Sequence, residues 1–194
     1  GPHRRAASWS ADRICSRRRP ACATIHAVTT PSPSSNPGTV GVVHLISATL
    51  RTDLSADLIA STLDRARALR EAPGARTVLV AHSDASVIVA TWLADRSRLE
   101  PFAASPPHME FVMRGLAPSI TSMWAAGIET DAAPPLAGEV ASLWVFAARS
   151  DDTVFEWQVR DVLASIENLP ATVAAGPTFE ERDRYRAGGV ACVS

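Results

Sequence analysis

Two histidines set among apolar residues, His44 and His108, are where this chain could do acid–base chemistry. An imidazole titrates near neutral pH, so either ring can take or give a proton under physiological conditions. His44 lies within Gly41–Leu50 (GVVHLISATL), in phase with Ile46, Ala48 and Leu50, while Val43 and Leu45 fall on the other face. A histidine so placed is usually a satisfied core or interface residue; in a functional role it is a general base. His108 follows Pro106-Pro107, and His82 borders the Ser83-Asp84 turn, where it reads as solvent-facing. Trp92 and Trp124 fall in or near two strands, and Phe102 and Met109 on a helical stretch. Their plain role is core packing. Their sharper role is to wall a pocket for a planar aromatic substrate.

Other chemistries are not written in the chain. It has no Gly-rich phosphate loop, no G-x-S-x-G and no H-E-x-x-H, so nucleotide-dependent, serine-hydrolase and common zinc chemistry are not first choices. The three cysteines (Cys15, Cys22, Cys192) have no metal-ligand spacing and read as free thiols in a reducing cytosol. No metal and no cofactor are expected. With 46 % apolar and 20 % charged residues in 194, the composition is that of a globular protein. Net charge is −1 but uneven: the first 40 residues carry six Arg against one acid, leaving a mildly acidic body. That argues against a nucleic-acid surface on the folded part. No run of 18 apolar residues exists, so neither a membrane span nor a membrane partner is expected, and the expected location is cytoplasmic.

The elements that must hold these residues follow from periodicity. Val42–Leu50 reads as a strand and is followed by a helix with apolar positions Ile59, Leu63 and Ala66, capped by Asp53 or Ser55. Strands at Thr77–Ala81 and Ser86–Leu93 follow, the latter apolar on both faces. A helical region from Asp95 is broken at Pro106-Pro107, and a fourth strand runs from Ser122 to Glu129. The order β-α-β-β-α-β is the split βαβ, ferredoxin-like unit of an α+β fold. Part of it recurs: strand Val140–Ala148, turn Arg149-Ser150-Asp151, then a helix with Phe155, Val159, Val162 and Ile166, capped by Thr153-x-x-Glu156. Arg51 and Arg149 stand 98 residues apart, a period suited to a duplicated small domain. The expected domains are an arm at 1–38 (tag-like, basic, then Pro/Ser-rich and poorly structured), a ferredoxin-like unit at 39–131, a linker at 132–138, and a second, shortened unit at 139–194.

This order, Pro73-Gly74 ahead of the second strand, and Ala90-Thr91-Trp92-Leu93-Ala94-Asp95 leading to a helix with Leu99, Phe102 and His108, resemble the dimeric α+β barrel proteins. The resemblance is to their antibiotic-biosynthesis-monooxygenase-like group, over about residues 40–131 and in part over 139–194. It implies two sheets packed open face to open face, in a homodimer or in tandem within one chain, each unit with a pocket between sheet and helices. It also implies a cofactor-independent monooxygenase acting on a phenolic or polyketide-type aromatic with dioxygen. His44 or His108 would be the base, and Trp92, Phe102, Trp124 and Met109 would contact substrate. Cyclase or isomerase chemistry, or a non-catalytic ligand-binding or structural barrel, are the alternatives. The heme-degrading branch fits less well: its first-strand Asn is missing and Phe102 stands near its helix Trp, so only His108 matches.

Overall fold

Alternating apolar residues on two faces of each strand force this chain into layers. A computed structural model describes residues 24–29, 41–135, 142–149, 171–178 and 185–193. Its strands are β1 (Thr24–Thr29), β2 (Gly41–Leu50), β3 (Ala75–Ser83), β4 (Ser86–Leu93), β5 (Ile120–Thr130), β6 (Ser142–Arg149), β7 (Ala171–Pro177) and β8 (Tyr185–Val193). The helices are α1 (Ala56–Ala68), α2 (Leu99–Ala103) and α3 (Pro106–Glu110), and α3 runs on into a π-helical turn, Phe111–Leu116. Among the described residues no helix is long and apolar enough to cross a membrane.

The first sheet is antiparallel throughout, in the order β1-β3-β4-β2-β5. Without β1 this is β3-β4-β2-β5 with α1 and α2–α3 as crossovers, which is the ferredoxin-like α+β fold expected of the sequence. Ser55 caps α1 by accepting from the Leu58 N–H, and Leu63 and Ala66 of α1 lie buried on the sheet. The Pro pair opens α3 at its first turn, where a missing N–H is harmless, so the break falls where expected.

The arm differs from expectation in one stretch. Thr24–Thr29 forms β1 and pairs with β3 over the whole register Thr24↔His82 to Thr29↔Thr77. The six residues TIHAVT are rich in β-branched side chains, a local signal masked by their Arg-rich and Pro/Ser-rich flanks. The rest of the arm lies outside the described residues, as do the expected second-unit helix and its capping box.

Each sheet face has its own core. Beneath the helices Val42, Ile46, Ala48, Val80, Val89 and Leu93 meet Leu63, Phe102, Phe111 and Leu116. On the opposite face Val43, Leu45, Leu79, Trp92 and Ile128 meet Ala174, Val190 and Cys192 of a second sheet, ordered β6-β8-β7. That order repeats β2-β4-β3. An antiparallel bridge joins Ile128 to Thr178, and β1 touches β6, so both edges of the large sheet reach the small one.

The chain turns into β3 through Gly74 at φ +83°, where a Cβ would lie 2.9 Å from the Arg98 Cβ. Gly74→Ala therefore suffers both left-handed strain and a clash, and should lose about 1–2 kcal/mol. The check is a urea midpoint lowered at unchanged m-value; an unshifted midpoint would contradict this turn geometry.

Candidate functional site

Strand parity decides which candidates meet. His44 shares the helix-side face of β2 with Val42 and Ile46. Directly over it stand Phe102 from α2 and His108 from α3. Ring centroids are 5.5 Å apart for His44–Phe102, 5.6 Å for His44–His108 and 5.1 Å for Phe102–His108, all at steep interplanar angles. Edge-to-face contact of this kind is favourable between rings. The junction that aims the two helical rings is built by Ser105. Its hydroxyl donates to the Phe102 carbonyl at 2.6 Å, and its own carbonyl accepts from the Met109 N–H at 3.0 Å.

A second small network fixes the helices above. In the π turn the Ala117 N–H reaches back to the Val112 carbonyl, five residues away. The buried Thr62 hydroxyl of α1 lies 2.8 Å from the Leu58 carbonyl, 3.2 Å from the Gly115 carbonyl and 3.3 Å from Ser119 Oγ. A widened turn in an otherwise regular helix is often found beside functional sites.

The electrostatics of the ring cluster are unusual. Both nitrogens of His44 and both of His108 are buried without a hydrogen-bond partner, as are Thr91 Oγ1 and Trp92 Nε1. Buried polar atoms are nearly always paired in native proteins, so an orphaned group asks for a reason. Burial holds His44 far down, at about 3, and the like charge of His108 adds to this. Burial also lowers His108, partly offset by the Ala103 backbone, although no well-aligned hydrogen bond forms there. Both rings are therefore neutral at pH 7.

A testable consequence is acid sensitivity. Unfolded, His44 takes a proton near 6.5; folded, it resists until about 3. In that window the unfolded state binds more protons, so stability is fullest above 6.5 and falls as pH drops. The slope from this residue approaches about 1.4 kcal/mol per pH unit. Urea midpoints at pH 7 and pH 5 should differ more in wild type than in His44→Leu; equal differences would mean that the ring is not buried.

The remaining candidates do not join this cluster. Trp92 pairs with Val43 and Trp124 with Ser47, so both indoles project to the opposite face, where they pack in the core between the sheets. The expected wall of tryptophans beside His44 is thus corrected: odd-numbered β2 partners cannot share a face with an even-numbered one. Met109 is 46 % exposed on α3. His82 is half-buried near the end of β3 rather than solvent-facing. The residue that the sequence reading missed is Thr91, fully buried and directly across the ladder from His44. Its signal was a hydroxyl inside the apolar run Val87–Leu93. Among the described residues no three metal-ligating side chains cluster.

No protein-family model and no curated protein matches this chain. Similar solved structures exist. A Fusobacterium nucleatum protein named as a proposed monooxygenase has a TM-score of 0.50 at 10 % identity, over 80 % of this chain and 76 % of its own. A dimeric ferredoxin-like protein of unknown function from Thermobifida fusca has a TM-score of 0.43 at 13 % identity, covering 51 % of this chain and 99 % of its own. A dimeric protein of unknown function and ferredoxin-like fold from Bacteroides fragilis has 0.40 at 17 %, covering 46 % and 95 %. What this chain has in common with such proteins is the ferredoxin-like fold.

Proposed function

We propose that the chain is a cofactor-independent monooxygenase, similar to the antibiotic-biosynthesis group, that oxidises a phenolic or anthrone-type aromatic at the His44–Phe102–His108 cluster. The observation that carries this is the set of four unpaired imidazole nitrogens gathered around one phenylalanine ring under the helices. A bound aromatic bearing oxygen atoms would complete them. The name of the Fusobacterium nucleatum protein points the same way.

His108 is the base. It is less buried than His44, and the Ala103 backbone favours its protonated form. It removes an acidic proton from the substrate CH2 that lies between two aromatic rings and is conjugated through them to a carbonyl. The carbanion gives one electron to dioxygen, and the radical pair combines into a C–O bond. Cleavage of the resulting O–O bond with loss of water leaves a ketone, so that CH2 plus O2 yields C=O plus H2O with no outside reductant. The proton held by His108 leaves in that water. His44, neutral throughout, hydrogen-bonds to a substrate oxygen and keeps it oriented. The apolar strand face beside it excludes water.

A tandem barrel is part of the same reading. Strands β6-β8-β7 repeat the order of β2-β4-β3, and β1, paired with β3, touches β6, the edge strand beside which a fourth strand of such a unit would lie. A second copy is then not required to cover the sheet. The test is oxygen uptake with a panel of anthrones and naphthols. Stoichiometric consumption with ketone formation is the expected outcome, and no uptake across the panel would refute an oxygenase.

A further inference from the structure

We propose that Thr91 joins His44 and His108 in binding a ligand that is electrically neutral and bears a hydroxyl or carbonyl oxygen, with Thr91 fixing which edge of the ligand faces the sheet. The ligand class rests on the oxygenase reading; the role of Thr91 and the neutrality of the ligand go beyond it.

The register carries the argument. Thr91 lies opposite His44 on β4, and Gly127 lies opposite it on β5. Side chains directly across an antiparallel pair stand about 5 Å apart at Cβ. The imidazole therefore has a hydroxyl on one flank and no side chain on the other. Thr91 is fully buried, His44 is 7 % exposed, and neither has a polar partner. Valine would fill the position of Thr91 with the same branched shape and no unpaired oxygen. An orphaned hydroxyl that costs stability, next to two orphaned imidazoles, fits a site completed by a ligand.

The chemistry of the set selects the ligand. Each neutral imidazole offers one donor and one acceptor, and the hydroxyl offers both. Their neighbours on this face, Val42, Ile46, Val89 and Leu93, carry no charge. A carboxylate brought here would lose its water and meet no cation, which is strongly unfavourable. A phenol or ketone oxygen can instead exchange hydrogen bonds with Thr91 Oγ1 and one imidazole while its ring lies against Phe102.

The test uses the full chain without oxygen, so that binding is read apart from turnover. Calorimetric titration compares 1-naphthol with 1-naphthoate on wild type and Thr91→Val, alongside urea unfolding of both proteins. The expected result is binding of 1-naphthol at least tenfold tighter than 1-naphthoate. In Thr91→Val the naphthol affinity should fall about tenfold, the effect of one hydrogen bond, while the unfolding midpoint rises. Undiminished naphthol binding by Thr91→Val, a lowered midpoint, or equal affinity for the naphthoate would each overturn the proposal. Should wild type bind neither probe, the substrate class falls, and this inference with it. Thr91-dependent binding without any oxygen uptake would sink the oxygenase and leave the site standing.

Discussion

Replacing His108 by Ala should slow oxygen uptake by about 10²- to 10⁴-fold, the span expected when a positioned general base is lost. The fall should appear in kcat and kcat/KM together, because the proton is moved in the transition state. Its pH profile gives a second handle. The base works only when neutral, and burial lowers the His108 pKa below its usual 6.5. In wild type kcat/KM should rise with pH through that lowered value and be flat by pH 7; in His108→Ala the acid limb should vanish. His44→Ala should behave otherwise. His44, already neutral down to about pH 3, is too weak a base to compete, so its loss should weaken binding and orientation while leaving the pH limb in position. Should His44→Ala remove the acid limb and His108→Ala keep it, the two roles are reversed.

How much of this could be read from the chain follows from the range of each signal. The alternation in GVVHLISATL is local, and it put His44 on the same face as Ile46, Ala48 and Leu50, as the core beneath the helices bears out. The Pro pair marked the helix break for an equally local reason. Pairing is not local. The faces of Trp92 and Trp124 depend on the partners that β2 selects, and with Trp92 opposite Val43 the indole could only face away from His44. The same register hid Thr91, whose importance appears only once it is set against His44. The strand β1 was missed for another reason: six good strand residues mean little without an edge to receive them, and β3 supplies that edge 50 residues later. The π turn had no sequence signature at all; the contact of Thr62 with the Gly115 carbonyl and with Ser119 appears only in the folded chain. His44, Phe102 and His108 were each candidates in the sequence, but their meeting was not foreseen, because no spacing rule links a strand residue to a helix about 60 positions away.

The largest effect on stability should come from Phe102→Ala. The ring is fully buried, touches both histidines and seats α2 on the sheet. Its removal forfeits the transfer energy of an aromatic side chain and leaves a cavity, a loss of about 3–5 kcal/mol. In a chain of this size each kcal/mol lowers the thermal midpoint by roughly 2–4 °C. Phe102→Leu keeps most of the volume and should lose far less, chiefly the ring–ring contacts at about 0.5–1.5 kcal/mol. The check is urea or thermal unfolding of wild type, Phe102→Leu and Phe102→Ala at pH 7. A cost below about 1 kcal/mol for Phe102→Ala would mean that the helix pair does not press this ring against His44, and the aromatic cluster would have no structural basis.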